Sequence, residues 1–358
     1  MQQPGADSLD TSSRAAPHPA GRSRPRRTRA AHAVAGLLAL PALVTALPGA
    51  LGLAGRVPLA QLLPFRGALV VVLLAGAAVV LAVGGLVRLL TRGPRARTPG
   101  AAAVLAAGLV LAAAVHAGVL VARGVLPAAP PAGADLVVLS LNTEHGGASS
   151  RQVADAVGEA GADVVVLPET PATAAQEVVD LLREQHGAVF SASTATTSPE
   201  PTHATSLLLA DGLGSPLPAP APSVELAAVA ATLPSLPGPV VAVHPVAPVP
   251  QGTFVQRWRA DVPRAVAACS GSPGAVVAGD LNATLDHPGL RDLGPCVDAA
   301  AAAGAGGLGT WPASVPTLLA APIDHVLVDG RAWRVLSAQV VTVGDTDHRG
   351  LVVHLARR

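Results

Sequence analysis

The chain of 358 residues has no lysine and no tyrosine, three tryptophans, three phenylalanines and two cysteines, and only 13% of it is charged. Six aromatic side chains with no basic stripe among them offer no stacking platform for nucleic-acid bases. Acids are nearly missing from the start of the chain: residues 1–133 hold thirteen arginines against Asp7 and Asp10 alone, a net +11. Residues 134–358 reverse the sign, with eleven arginines against twenty-one carboxylates, a net −10. The formal net charge of +1 is therefore a cancellation between two segments of opposite electrostatics. That split excludes a single mixed globular domain, and the 50% hydrophobic content excludes a disordered chain. A nucleic-acid binder with a basic catalytic face is also disfavoured, because the basic segment is not the one that carries chemistry.

Three apolar runs account for the positive segment. Residues 33–54, 67–87 and 100–121 contain no Asp, Glu or Arg, and His116 is the one titratable group in the third. Each meets the roughly 20 residues that a helix needs to cross a hydrocarbon core. Three transmembrane helices are predicted, the first interrupted by Pro41 and Pro48, which would be accommodated as kinks. A secretory signal peptide is the alternative for the first run; its long n-region and the two following spans speak against it. His116 is expected to face a neighbouring helix. Arg14, Arg22, Arg24, Arg26, Arg27 and Arg29 precede the first run, and Arg56 and Arg66 follow it. Arg88, Arg92, Arg95 and Arg97 separate the second run from the third, after which Arg123 stands alone. Positive charge stays on the cytoplasmic side, so the order is in, out, in, out, and residues 134–358 are placed outside the cell membrane. The predicted organisation is a disordered basic tail over 1–31 resting on anionic lipid, a membrane region over 32–123, a stiff Pro/Ala linker over 124–133 and a folded domain over 134–358. The lipid bilayer is the expected partner of the first half, and no obligate protein partner is inferred.

From residue 134 the periodicity changes. Strands are predicted over 136–141, 164–167, 206–209, 224–232, 240–243, 275–278, 325–328 and 335–343, and helices over 150–160, 172–185 and 254–269, a mixed α/β pattern of single-domain size. The polar stretch 191–205 reads as a surface loop, and the Ala/Gly-rich stretch 299–309 receives no assigned structure. Cys269 and Cys296 both fall in the exterior domain, where oxidising surroundings favour a disulfide; two buried free thiols are the other reading.

Six apolar strands each deliver a polar group at one end: Asn142, Glu169, His244, Asp280 with Asn282, Asp324 with His325, and Asp347 with His348. An acid after a strand is usually a turn or cap residue, but six together resemble the convergent polar groups from which sites are built on rigid scaffolds. Hard oxygen donors such as Glu169, Asp280 and Asp347, with the amides, suit Mg²⁺, Mn²⁺ or Ca²⁺. An imidazole beside a carboxylate is a general base with an orienting partner. With no P-loop and no redox-cofactor motif, this set points to metal-assisted phosphoester hydrolysis.

The segments LSLNTEHGG, ADVVVLPET, VVAVHPVAP, VVAGDLNATLDHPGL, PIDHVLV and GDTDHRGLVV, in that order from Leu139 to Val353, resemble the endonuclease/exonuclease/phosphatase (DNase I-like) superfamily, in a membrane-anchored bacterial form. The abundance of arginine, alanine, glycine and proline without lysine fits a GC-rich bacterial genome. The resemblance implies an α/β fold, a four-layer α/β/β/α sandwich with two packed, mostly antiparallel sheets. It places Glu169, Asn142 and Asp347 at a divalent-metal site for Mg²⁺, with Mn²⁺ or Ca²⁺ as alternatives. It gives His244 a phosphate contact and makes Asp280 the group that orients or deprotonates the attacking water. It makes Asn282 a contact to a phosphate oxygen, and Asp324 the acid that hydrogen-bonds the catalytic imidazole of His348. Pro168 before Glu169 and Thr346 before Asp347 depart from the commoner wording, and the phosphate-contacting tyrosine of abasic-site enzymes has no counterpart. In the acidic domain a long polyanion would need a basic patch around Arg257, Arg259 and Arg349. Glu144 and His145 are expected to be loop residues, Asp286 a helix cap and His287 a residue close enough to touch substrate. His186, His203 and His354 are expected to be structural or on the surface. The expected function is a membrane-anchored, extracytoplasmic phosphodiesterase or phosphatase acting on a lipid headgroup, a nucleic acid or a small molecule. The alternatives are a non-catalytic sensor domain on the same fold and a surface nuclease.

Overall fold

The computed structural model describes residues 24–91, 100–131 and 133–358. Most of the basic tail and Arg92, Arg95 and Arg97 of the second loop therefore lie outside the described residues. Three long helices come first: α1 (Arg24–Ala46), α2 (Arg66–Thr91) and α3 (Ala101–Arg123). All three are long and apolar enough to cross a membrane. The third packs against both of the others, while Leu38, Leu89 and Leu90 point outward at 62–73% exposure, an apolar surface that water would not favour. The first helix departs from expectation. Pro41 sits inside it, but the chain leaves helical geometry after Ala46, so Pro48 follows the helix and kinks nothing. Proline has no amide hydrogen to continue the ladder and disfavours α geometry in the residue before it.

The folded domain has twelve strands and three main helices. The strands are β1 (Leu136–Ser140), β2 (Val164–Pro168), β3 (Phe190–Thr196), β4 (Ala204–Ala210), β5 (Leu217–Pro218), β6 (Ala227–Thr232), β7 (Val240–His244), β8 (Val276–Asp280), β9 (Cys296–Asp298), β10 (Asp324–Asp329), β11 (Trp333–Val341) and β12 (Gly350–Arg357). The helices are α4 (Ser150–Ala160), α5 (Ala172–His186) and α6 (Phe254–Ser270). Two six-stranded sheets form, ordered β11-β12-β1-β2-β4-β3 and β5-β6-β7-β8-β10-β9. Each contains one parallel pair, β1 with β2 and β7 with β8. Those two strand-to-strand connections carry helices: α4 crosses from β1 to β2 and α6 from β7 to β8.

Three apolar clusters define the layers. Val138, Val166, Leu207, Ala242, Val276, Val326 and Val353 fill the space between the sheets. Leu139, Val165 and Leu208, on the opposite face of the first sheet, pack on Val153, Val157, Val178 and Leu182 of α4 and α5. Val241, Val243, Val277 and Leu327 do the same for the second sheet against Trp258, Val262 and Val266 of α6. The result is the expected α/β/β/α sandwich. Alternate residues of one strand thus serve two cores, which is why β1, β2, β7 and β8 are apolar almost throughout. The start of α4 is set by a capping box in which Ser149 and Gln152 satisfy each other's backbone N–H groups.

Several segments differ from their sequence reading: β5, β9 and β12 are strands where none is expected. The expected loop 191–205 begins as β3, an edge strand paired with β4 from Phe190 to Thr196. Its serines and threonines suit a strand with one neighbour and one face in water. The stretch 299–309 begins as a helical turn, Ala299–Ala302, capped by the Asp298 carboxylate, which accepts the Ala301 N–H. Cys269 and Cys296 form a disulfide that joins the end of α6 to β9. Closing a loop of 27 residues restrains the unfolded chain by about 3–4 kcal/mol in the chain-entropy account. Reduction is expected to lower the urea midpoint of the chain's unfolding and to steepen its dependence on urea, because the released unfolded chain exposes more surface.

Candidate active site

Strand register brings the acids together. In the second sheet β8 and β10 run antiparallel with Asp280 directly opposite Asp324. The parallel pairing of β7 with β8 sets His244 and Asp280 at the same height, two residues beyond the Ala242–Ala278 pair. Gly279 makes this approach possible: its φ is 147°, and a Cβ there would lie 1.9 Å from the Val243 carbonyl oxygen. The first sheet contributes Asn142 after β1, Glu169 after β2, and Asp347 and His348 before β12. The site thus sits where the ends of both sheets meet.

The contacts are close. His348 Nδ1 lies 2.9 Å from Asp324 Oδ2, and its Nε2 faces Asp280 Oδ2 at 3.6 Å and Asp347 Oδ1 at 3.8 Å. Asn142 Nδ2 donates to Glu169 Oε1 at 3.1 Å and to Asp280 Oδ2 at 3.2 Å, tying the two sheets together. His244 Nε2 is 3.7 Å from Asp280 Oδ2 and 4.0 Å from Glu169 Oε1. The backbone of Asn282 donates to Asp280 Oδ1, its amide donates to the Pro245 carbonyl, and its own carbonyl accepts the Trp258 indole N–H. Four non-glycine residues here, Glu144, His145, Glu169 and Asn282, have φ between 45° and 57°. That left-handed geometry costs an L-residue about 1–2 kcal/mol, and such strain gathers at functional sites.

Burial and neighbouring charge set the protonation states. Burial, and then the adjacent Asp324, push the Asp280 carboxyl up to about 7. Burial opposes a charge on His348, but Asp324 and Asp280 outweigh it and hold the imidazole well above its ordinary value, at about 10. Burial, and then the His348 cation, drive His244 down to about 3, so it stays neutral. One donor atom each from Asp280, Asp324 and His348 lies within 4.8 Å of the others, a grouping compatible with a metal ion. Among the described residues, Asp324 Oδ1 and His244 Nδ1 are buried without a hydrogen-bond partner. Buried polar atoms are rarely left so; Asp324 keeps one acceptor oxygen without a partner beside this acidic group, while His244 turns its other ring nitrogen, Nε2, toward Asp280 and Glu169.

The eight site residues expected from sequence all reach this region. Glu169, His244, Asp280, Asn282, Asp347 and His348 line one cleft of about 620 Å³, with Asn142 and Asp324 bonded directly behind it. Four secondary expectations are corrected. His287 is buried, held edge-on against Trp258 and bonded to the Ala60 carbonyl, so it does not face the cleft. Asp286 caps no helix; it accepts paired hydrogen bonds from Arg66 and contacts Arg123. Glu144 and His145 are more than loop residues: Glu144 Oε2 accepts the Asp347 N–H and His145 Nδ1 lies 2.7 Å from Glu169 Oε2. The basic patch does not form, because Arg349 is buried on four backbone carbonyls, Arg259 donates to Gly55 and Arg257 pairs with Glu225. The sequence reading missed Trp311, whose indole donates to Asp347 Oδ2 and whose ring lies 6.5 Å from that of His348. A lone tryptophan inside a Gly/Ala/Pro-rich stretch was its only signal.

No curated relative matches the chain by sequence. Among solved structures, the human Nocturnin catalytic domain with bound sulfate is similar, at 14% identity and a TM-score of 0.47, over 62% of this chain and 93% of that one. An endonuclease/exonuclease/phosphatase from Beutenbergia cavernae is similar at 18% identity and 0.45, over 63% of this chain and 72% of that one. One from Bacteroides vulgatus is similar at 13% identity and 0.47, over 62% and 99%. The sequence profile of the Endonuclease/Exonuclease/phosphatase family matches residues 139–348, more than half of the chain and every residue of the site just described, and the chain belongs to that family.

Proposed function

We propose that this chain is a membrane-anchored, divalent-metal-dependent phosphoester hydrolase of a bacterium, with its catalytic domain outside the cytoplasm. The observation that carries the reading is the buried constellation in which Asp280 Oδ2 stands 3.6 Å from an imidazole that Asp324 holds at 2.9 Å. The donor set fits a hard cation: carboxylates from Glu169, Asp280, Asp324 and Asp347, with no thiolate nearby, while the Asn142 oxygen accepts the Glu144 N–H and would turn toward the acids to join them. Glu169, Asn142 and Asp347 are the residues proposed to hold Mg²⁺, with Mn²⁺ or Ca²⁺ as alternatives, and the Asp280, Asp324 and His348 oxygens and nitrogen complete the acidic surroundings. Bound there, the cation supplies charge neutralisation for the phosphate and its leaving group.

The chain's own residues divide the remaining work. Asp280, which carries a carboxyl proton only below about pH 7, accepts the proton of the attacking water. His348, kept cationic by Asp324, donates a hydrogen bond to a phosphoryl oxygen as negative charge grows on it. Neutral His244 and the Asn282 amide flank the same space and orient the phosphate. The membrane placement is supported by the three apolar helices, and the exterior placement by the arginine-rich tail and second loop. The disulfide is at home in that compartment.

The test is hydrolysis of generic phosphomonoesters and phosphodiesters by the full chain with Mg²⁺, Mn²⁺ and Ca²⁺. Asp280→Ala and His348→Ala are expected to abolish metal-dependent turnover. Unchanged hydrolysis in both variants would falsify the assignment, and metal binding without turnover over a broad panel would favour a sensor domain.

A further inference from the structure

The connection between the first two long helices is part of the catalytic cleft. Residues 48–65 lie along the folded domain and are bonded to it at four points. Arg291 donates to the Gly49 carbonyl, Arg259 Nε to the Gly55 carbonyl at 2.8 Å, His287 Nε2 lies 3.1 Å from the Ala60 carbonyl, and Gln61 Nε2 donates to the Pro248 carbonyl. Ala60 is fully buried in the same apolar cluster as Trp258 and Leu281, beneath the second sheet. The attachment continues into α2, where a Cβ on Gly67 would lie 1.7 Å from the Leu318 carbonyl oxygen. Only glycine allows that backbone contact.

This segment ends over the reactive groups. Gln61, Pro64 and Phe65 line the cleft with Glu169, Asp280 and His348. The Phe65 ring lies 5.9 Å from Trp311, and Trp311 lies 6.5 Å from His348. Ala247, Pro248, Val249 and Ile323 line the same cleft, with Val249 42% exposed. The lining therefore combines an acidic, polar group with an apolar trough. Phe65 immediately precedes Arg66, the first residue of a helix apolar enough to span a bilayer. The trough thus opens at the level where the chain would leave the headgroup region. Among the described residues no arginine lines the cleft, and Arg257, Arg259 and Arg349 are engaged with other partners.

We infer that the substrate is a bilayer amphiphile, a phosphoester that enters laterally from the membrane. Its phosphate reaches Asp280 and His348, and its alkyl portion lies against Phe65, Pro64, Val249 and Ile323. The membrane region is then a specificity-determining component of the enzyme as well as its anchor. This inference rests on the hydrolase reading above.

The test uses two probes with the same reacting phosphorus and leaving group, p-nitrophenyl methyl phosphate and p-nitrophenyl dodecyl phosphate. Both are assayed with the full chain in the same neutral detergent micelles and Mg²⁺. The wild-type chain is expected to prefer the dodecyl ester by at least about tenfold in kcat/KM, the order of effect that burying a few methylenes against apolar side chains produces. Phe65→Ala and, from another segment of the lining, Val249→Ser are each expected to lower the dodecyl-to-methyl ratio several-fold; two variants on different segments guard against misfolding of either. Equal rates on the two esters, a ratio unmoved by both variants, or plasmid DNA cleaved in preference to either ester would overturn the inference while leaving a hydrolase. No metal-dependent turnover of any of the three would overturn the hydrolase reading itself, and the amphiphile substrate with it.

Discussion

Asp324→Asn is expected to cost nearly as much activity as His348→Ala, about 10²–10⁴-fold in kcat, and the double variant no more than the worse single one. Asp324 touches no solvent-facing part of the cleft; its Oδ2 is bonded to His348 Nδ1 and its neighbour across the sheet is Asp280. Its work is done through those two groups, and residues that act as one unit lose their function together. The pH profile separates this role from a merely structural one. In the wild-type chain His348 remains cationic across the neutral range, because Asp324 and Asp280 raise it against the effect of burial. Activity then follows the ionisation of Asp280, rising with pH through about 7, or through a lower value when a bound cation favours the carboxylate. Without Asp324 the imidazole loses the strongest of the groups that favour its cation and the hydrogen bond to Nδ1, and burial, opposed now only by Asp280 and Asp347, brings it down. The same change removes the repulsion that helps hold Asp280 up, so its limb moves to lower pH. The residual activity of Asp324→Asn should therefore fall as pH rises from 5 to 8, where that of the wild type climbs. Parallel profiles, or a double variant whose losses simply multiply, would show that Asp324 does not act through His348.

The readable parts of this chain are those where a local pattern determines the outcome. Strand β8 is an apolar run ended by Gly279 and Asp280, and β7 beside it and β1 and β2 of the other sheet repeat that form. Each strand serves a core on both faces, so hydrophobicity marks the strand and the first polar residue marks its end. For that reason Asn142, Glu169, His244, Asp280, Asp324 and His348 could be located before any coordinates. Strand β3 escaped because an edge position tolerates serine and threonine, which also compose loops. What sequence could not convey is pairing across the chain. Asp286 looks like a cap because its partner Arg66 is 220 residues away. His287 looks available because Ala60, which occupies its Nε2, comes 227 residues earlier. Phe65 looks like the start of a membrane span, and nothing local reveals that Trp311 lies against it. Arg66 and Arg123 enter the sequence argument by their count, as topology signals, although their positions also dock the three-helix region onto the α/β/β/α domain.

That docking leads to the largest stability effect expected here. Both oxygens of Asp286 accept from Arg66, through Nε at 2.7 Å and a terminal nitrogen at 2.6 Å, and both also face Arg123 at 2.8–2.9 Å. Arg66 is 3% exposed and donates in addition to Nδ1 of His116, whose Nε2 lies 3.2 Å from Thr45 Oγ1 on α1. A single carboxylate of the catalytic domain thus gathers the start of α2, the end of α3 and, through His116, α1. Asp286→Ala leaves the Arg66 charge buried without its counter-ion, a loss of about 3–5 kcal/mol. The full chain in detergent should unfold at least about 5 °C lower, and trypsin should cut after Arg56 much faster as residues 48–65 lift away. Arg123 is 15% exposed and can recover water, so the penalty falls chiefly on Arg66. Replacing both partners by apolar residues, as Arg66→Met with Asp286→Leu, should recover much of the loss, because no buried charge is then left alone. Burial opposes the Asp286 charge, but Arg66 and Arg123 prevail and hold its carboxyl down at about 2. A group depressed below its unfolded value of about 3.9 contributes fully above that pH and loses its contribution only as pH falls toward 2. The contact is therefore closed throughout the neutral range, and its rupture in Asp286→Ala should be as large at pH 6 as at pH 8. If Asp286→Ala instead unfolds at the wild-type temperature and resists trypsin equally at both pH values, the three-helix region is held to the catalytic domain by packing alone.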